Sequence, residues 1–586
     1  MLDFRNLNTL WASTLVETLY RCGLETAIVC PGSRSAPLTI AFAQHPQIEA
    51  IPVLDERSAS FFALGIAQRT GKPVALVCTS GTAGANFYPA VIEAKESRIP
   101  LLVLTADRPP ELRDCNAGQA IDQQKLFGDF PNYYAELSIP EVSLLNYLRQ
   151  KVANAYQQTT YPQSAGVHLN IPLRDPLAPI AQSEIQALSK SFPKDFFDHL
   201  DFAACAVSSQ FSIPSEWHNR RGIIIAGVAR SPKPEKYCQA IAQLSDYLGY
   251  PVLAEGLSPV RNFNRLQPHL ITTYDGILRN ADRACNLTPE IVIRIGEMPT
   301  SKILREWLTQ TQPETWIVDR AQCSIDPIHG RTRQIYADIE DLVIPSNTGG
   351  TGIKAPSIGG LGASQNYLES WKSFDRQMRQ KIDQTLTTIP HILESKISWL
   401  LPQLLPENTP IFIANSMPVR DVEYFWPGND RQIQPFFNRG ANGIDGTLST
   451  ALGIAHNGQP AVLLTGDLAL LHDTNGFLIQ RYLRGSLTII LNNNNGGGIF
   501  SMLPIAQFEP PFEEFFSTPQ SVNFADLCKT YNVEHQIISD WETLSEKLKS
   551  LPQQGIRVLE VVCDRTIDVP WRKAFLNHLA THNPID

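Results

Sequence analysis

Two points along this chain carry residues able to hold a metal and an anion. Gly466-Asp467 follows the apolar run 461–465, and Asn492-Asn493-Asn494-Asn495-Gly496-Gly497-Gly498 follows the apolar run 486–491. Read as strand, helix and strand, the segment is one βαβ crossover. Such crossovers are right-handed in nearly all cases and bring both strand ends to one edge of a parallel sheet. Twenty-seven residues separate Asp467 from Asn494, the contour of one helix and one strand. A carboxylate and a side-chain amide oxygen therefore meet at the edge where open α/β sheets bind ligands. Carboxylate, amide and backbone carbonyl are the hard oxygen donors that Mg²⁺ accepts, with water and substrate phosphates completing the shell. Glycines 496–498 let the backbone approach an anion closely. The pattern reads as a metal–diphosphate site; an ordinary polar turn accounts for the glycines but not for an acid after one strand and asparagines after the next.

Further candidates stand at other strand ends. Glu56, in VLDERSASFFALG, ends a strand and opens a helix; alone, such a Glu more often complements the helix dipole. Ser33 and Arg34, Arg108 and Gln119, Ser416 and Arg420, and Arg439 with Ile444 all follow strands, in a chain whose net charge is −9. One arginine beyond a strand is usually solvated. Several in an acidic chain point to a ligand bearing more than one carboxylate, because the guanidinium fork pairs bidentately with that group.

The elements that must position these residues alternate strand and helix. Runs at 26–30, 50–54, 73–80 and 100–106, then 222–229, 251–256, 290–296 and 315–319, then 410–415, 461–465, 486–491 and 556–563 read as buried strands. Helical periods between them imply parallel βαβ units. The expectation is three doubly wound α/β domains: residues 1–180, 181–346 and 367–586. A glycine-rich linker spans 347–366, and a connector with one helix spans roughly 178–218. The N-terminal segment reads as an amphipathic surface helix rather than a signal peptide.

Bulk properties narrow the class. Length 586 exceeds one core, and the acidic balance argues against general nucleic-acid binding. The ten cysteines form no CxxC and no zinc spacing, which fits free thiols in a reducing compartment. No apolar run approaches membrane-spanning length, so a cytoplasmic protein without membrane partners is expected. GIAQRTGKP has the wrong spacing for a phosphate loop, and no GxGxxG follows a strand.

The segment from Gly466-Asp467 to Asn494-Asn495-Gly496 resembles the motif of thiamine-diphosphate-dependent enzymes, with Leu468 where glycine is usual. Over essentially the whole chain, CPGSRSAPLT, DERSASFFALG, TADRPPEL, FNRGANGIDG and the GDL…NNNNGGGIF pattern resemble the 2-succinyl-5-enolpyruvyl-6-hydroxy-3-cyclohexene-1-carboxylate (SEPHCHC) synthases of menaquinone and phylloquinone biosynthesis. The resemblance implies a transferase that decarboxylates 2-oxoglutarate and adds the succinyl unit to isochorismate. It implies thiamine diphosphate with Mg²⁺ or Mn²⁺, the metal held by Asp467, Asn494 and the Gly496 carbonyl. Glu56 would activate the aminopyrimidine of the coenzyme, and Ile444 and Ile499 would contact it. Ser416 and Arg420 would hold the donor's distal carboxylate. Ser33, Arg34, Arg108, Gln119 and Lys302 would face isochorismate, with Arg439 beside the reacting centre and Ile499, Phe500 and Leu503 forming an apolar wall. The family's second basic residue after Lys302 is Ile303 here. Because Glu56 and the metal site come from different subunits in this superfamily, a homodimer or a dimer of dimers is expected. Another carboligase on the same fold, such as an acetohydroxyacid synthase, and a noncatalytic regulator are the alternatives.

Overall fold

The computed structural model describes residues 2–198, 200, 211–218, 220–344, 361–456 and 458–581. Three six-stranded sheets form its frame. Every pairing within them is parallel. Buried central strands such as Val74–Cys78, Ile291–Ile295 and Ser486–Asn493 account for the near-continuous apolar runs, because a parallel sheet is covered on both faces.

The first and third sheets share a strand order. The third runs Gln434–Phe436, Pro410–Ile413, Ala461–Gly466, Ser486–Asn493, Gly555–Val562, Glu534–Ile538. Its order reverses between Pro410–Ile413 and Ala461–Gly466, so a crevice opens beyond their carboxyl ends. The middle sheet instead winds outward both ways from Gly222–Ala226 and Ile291–Ile295.

Several expectations need correction. The sheets contain edge strands that the apolar pattern does not show, including Tyr133–Glu136, Arg331–Ile335 and Glu534–Ile538. These strands are partly exposed and mix charged or polar side chains among apolar ones. The N-terminal helix Leu7–Arg21 lies in the core, with residues from Asn8 to Leu19 buried. Its polar positions tolerate this because Thr14 and Thr18 donate to the carbonyls of Leu10 and Thr14 at 2.8 and 2.7 Å, as buried hydroxyls must find acceptors. Residues 347–360 of the expected linker lie outside the described residues, and Leu361–Thr388 is a 28-residue helix that takes up its end. Of the connector, Ser183–Leu188 is helical, while residues 199 and 201–210 lie outside the described residues.

The first and third sheets share one apolar core. Its tightest point is the crossing of helices Glu56–Thr70 and Thr447–Ala455. A Cβ on Gly65 would lie 2.0 Å from the Thr450 carbonyl oxygen, and one on Gly453 would lie 2.2 Å from that of Phe62. The obstructing atoms are backbone, so neither helix can yield locally. Gly453→Ala is expected to destabilise the protein by about 2 kcal/mol or more, since overpacked cores relax by strain. The check is the thermal unfolding midpoint; an unchanged midpoint would show that the crossing is loose.

Candidate active site

Strands Ala461–Gly466 and Ser486–Asn493 pair in register with Gly466 opposite Asn492. Asp467 and Asn494, each the first residue beyond its strand, therefore stand at one edge. The second strand runs two residues further than the apolar run, and the crossover holds the short helix Asp467–His472 and a 3₁₀ segment, Thr474–Tyr482, in place of one regular helix. The Gly496 N–H donates to Asp467 Oδ2 at 2.7 Å, closing the two loops on each other. Gly496 has φ +138°, and a Cβ there would meet the Ser517 carbonyl oxygen at 2.5 Å; glycine is required.

The oxygens gathered here lack positive partners. Asp467 is 4% exposed, and burial pushes its carboxyl up to about 6 despite N–H donors from Gly496 and Leu468. Asn494 Oδ1 is buried with no hydrogen-bond partner among the described residues. An orphaned acceptor costs roughly 1–3 kcal/mol, and beside a buried carboxylate it is the place where a hard dication fits. Asn493 is turned away, donating to Glu560 Oε1 at 2.6 Å, so of the two it is Asn494 that keeps an unpartnered amide oxygen at this edge. No cluster of three His, Cys, Asp or Glu suited to a metal occurs among the described residues. One carboxylate, one amide and backbone carbonyls form a donor set that leaves coordination positions for a diphosphate and water.

A cationic cluster stands at the adjoining strand end. Ser416 (φ +70°) precedes helix Met417–Phe425, and Arg420 Nη1 donates to the Ser416 carbonyl at 2.5 Å. Arg439 Nη1 donates to Asn415 Oδ1 at 2.9 Å and Nη2 to Thr300 Oγ1 at 3.5 Å. From the middle sheet, Arg305 Nη2 reaches the Thr300 carbonyl at 3.5 Å. Burial holds Arg420 and Arg439 below their ordinary values; Arg439 and Arg305 add repulsion at Arg420, whereas at Arg439 the carboxylates of Glu255, Glu297 and Glu93 oppose the shift. Among the described residues, none of the three has a carboxylate within ion-pair distance.

At the carboxyl edge of the first sheet, Arg34 is buried, donates to the Leu173 carbonyl at 2.9 Å and lies close enough to Arg108 to be repelled by it. Arg108 donates to the Gly118 carbonyl at 2.8 Å, and Gln119 Nε2 to that of Ser80 at 3.2 Å. Ser33 is exposed beside them. Glu56 begins its helix with its carboxyl raised by burial and, less, by Asp55. Its neighbours hold the far end of the helix that Asp467 begins: Asp55 accepts from Asn475 at 2.6 Å, and Arg57 donates to the His472 carbonyl at 2.8 Å. Within one chain, Glu56 and the cage oxygens are thus not joined by any hydrogen bond among the described residues. Beyond the glycine turn, Ile499 and Phe500 are half-buried and Leu503 is 46% exposed, too open for simple core. Ile444 is half-buried before helix Thr447–Ala455, its carbonyl accepting from Thr447 Oγ1 at 2.7 Å.

Residues 11–126 match the family model of the thiamine pyrophosphate enzyme N-terminal TPP binding domain, and residues 200–413 match the middle domain of thiamine pyrophosphate enzymes. SEPHCHC synthases of Gloeothece citriformis and Trichodesmium erythraeum are each 57% identical to the chain, the first over 98% of it and 99% of the relative, the second over 97% and 98%. That of Rippkaea orientalis is 56% identical over 99% of the chain and 98% of the relative. The chain belongs to the SEPHCHC synthase family.

For this SEPHCHC synthase family member, two features of the cationic cluster differ from the expectation. Lys302 does not join it: its side chain is 79% exposed and pairs with Glu306 at 3.3 Å. Arg305, one turn further along helix Lys302–Thr311, does. The only sequence signal for Arg305 was its position three residues after Lys302, since the middle sheet's approach to Asn415 and Arg439 is a tertiary fact.

The cage makes a pH-dependent prediction. With its carboxyl raised from 3.8 to about 6, Asp467 contributes stability to the metal-free fold that is complete at low pH and lost as the pH rises through about 6. Metal-free Asp467→Asn is therefore expected to unfold at a higher temperature than the parent at pH 8 and to show little difference at pH 4. It should also lose the Mg²⁺-dependent rise in midpoint that thiamine diphosphate gives the parent. Thermal unfolding with and without both ligands checks each arm.

Proposed function

We propose that the chain decarboxylates 2-oxoglutarate and adds the resulting succinyl unit in 1,4 fashion to isochorismate, giving SEPHCHC and CO₂ in menaquinone or phylloquinone biosynthesis. The observation that carries this reading is the group of guanidiniums of Arg420 and Arg439, which follow strands of the sheet that carries the oxygen cage, joined through Thr300 by Arg305 of the middle domain, with no carboxylate within ion-pair distance of the three among the described residues. The two substrates retain three carboxylates between them after CO₂ leaves, and arginine is the side chain that pairs such groups bidentately.

Thiamine diphosphate, when bound, supplies the carbanion chemistry that releases CO₂ and carries the acyl unit. The chain's own residues do the positioning, as in other cofactor enzymes. Asp467, Asn494 and the Gly496 carbonyl hold Mg²⁺ or Mn²⁺, and the glycines admit the diphosphate. Ile444 supports the coenzyme, and Glu56 holds a proton against its pyrimidine ring; the burial that raises the Glu56 carboxyl favours that role. Ser416 and Arg420 orient the donor's distal carboxylate. Ser33, Arg34, Arg108 and Gln119 receive isochorismate, Arg439 lies beside the reacting atoms, and Ile499, Phe500 and Leu503 exclude water.

Residues 1–180 are assigned to the pyrimidine, 367–586 to the diphosphate and 181–346 to the unit between. Asp55 and Arg57, on either side of Glu56, are engaged beyond the far end of the Asp467 helix in their own chain, so we place Glu56 over the cage of a second copy, in a homodimer or a dimer of dimers. Among the described residues the cysteines are free thiols, which supports the cytoplasm; no described helix is long and apolar enough to cross a membrane.

With thiamine diphosphate and Mg²⁺, the protein should release CO₂ from 2-oxoglutarate and form SEPHCHC once isochorismate is added, with pyruvate a poor donor. Preference for pyruvate would favour an acetohydroxyacid synthase, and absence of CO₂ release a noncatalytic role. Glu56→Gln should retain cofactor affinity and lose about 10²–10⁴-fold in turnover, the usual scale of general acid–base assistance; parental turnover would remove Glu56 from the chemistry.

A further inference from the structure

The basic residues of the middle sheet do not sit where the sequence pattern places them. Position 303 is isoleucine, and Lys302 is spent on Glu306 at the surface. Arg305 instead bends back to the carbonyl of Thr300, whose hydroxyl oxygen lies 3.5 Å from Arg439 Nη2. The two guanidiniums thus bracket one threonine, and that threonine is fixed: its hydroxyl donates to Glu255 Oε1 at 2.7 Å, and Glu255 is fully buried. Arg439 Nε is buried without a partner.

These cations are graded in depth. Arg420 and Arg439 are half-buried and bound to the Asn415–Ser416 loop, whereas Arg305 is exposed at the mouth. Glu255, Glu297 and Glu93 act on Arg439 from a distance, but among the described residues no carboxylate comes within ion-pair reach of Arg305, Arg420 or Arg439, and these like charges repel until an anion arrives. An inner anion is served by Arg420 and Ser416; an outer one meets Arg305. Of two substrates reacting in sequence, the first to bind occupies the depth and the second lies toward solvent.

We propose that Arg305 binds a carboxylate of isochorismate and acts as the middle sheet's specificity residue for the second substrate, in place of Lys302. Arg34 and Arg108, from the first sheet, remain for the other carboxylate. This rests on the function proposed above.

The test is steady-state kinetics with each substrate varied in turn, together with CO₂ release from 2-oxoglutarate alone, for the parent, Arg305→Gln and Arg305→Lys. A charge-assisted hydrogen bond of ordinary strength predicts that Arg305→Gln raises KM for isochorismate about tenfold or more. KM for 2-oxoglutarate and CO₂ release should stay within about twofold, and Arg305→Lys should recover part of the loss because charge is kept and the fork is not. An unchanged KM for isochorismate, or a change falling on 2-oxoglutarate instead, overturns the proposal. Thermal midpoints equal to the parent's separate a binding effect from misfolding; a lowered midpoint with the same KM change in both variants counts against it. A parent that releases no CO₂ from 2-oxoglutarate defeats the underlying function itself, and is told apart because the failure precedes any substitution.

Discussion

The parallel register between Ala461–Gly466 and Ser486–Asn493 is the constraint on which the site depends. Because the two strands run the same way and stop together, the residues that leave them meet. A one-residue slip would exchange the faces of every side chain in the strand, burying Asn493 where Asn494 now stands. The hydrogen bond from Gly496 to Asp467 fixes the two loops after the strands have fixed their origins.

Charge is handled in two different ways in this molecule. Away from the crevice, buried ions form close pairs: Arg572 meets Asp421 and Glu394 at 2.7 and 2.9 Å, and Arg261 meets Glu423 at 3.3 Å. These groups fasten the C-terminal helix and the middle sheet to the third sheet, and removing one partner from such a pair is costly. At the crevice the same kinds of group are left without counterparts. Among the described residues, Asp467 and Asn494 Oδ1 have no cation against them, and Arg420, Arg439 and Arg305 have no carboxylate within ion-pair distance. Opposite deficits around one crevice are what a metal–diphosphate and a set of carboxylates together would relieve, so ligand binding and local stability are coupled.

Much of the fold was legible because central parallel strands must be apolar along their whole length. Runs such as Ile291–Ile295 announce themselves. Edge strands such as Glu534–Ile538 do not, because they are partly exposed and carry polar residues over much of their length. The N-terminal helix misled for a related reason: its serines and threonines read as solvent-facing, yet they satisfy themselves on their own backbone and are buried.

The sequence by itself determined that Asp467 and Asn494 leave neighbouring strands at one edge, and their distance along the chain, because one crossover is a local unit whose handedness and span follow from backbone geometry. It also placed Glu56 and the arginines at strand ends, where open sheets bind ligands. Only the tertiary structure decided which of those groups face each other. It turned Asn493 outward and Asn494 inward, sent Lys302 to Glu306 and Arg305 to Thr300, and committed the neighbours of Glu56 to the opposite end of the Asp467 helix. Those outcomes depend on how separate sheets pack, and packing joins residues hundreds of positions apart whose spacing carries no trace of the contact.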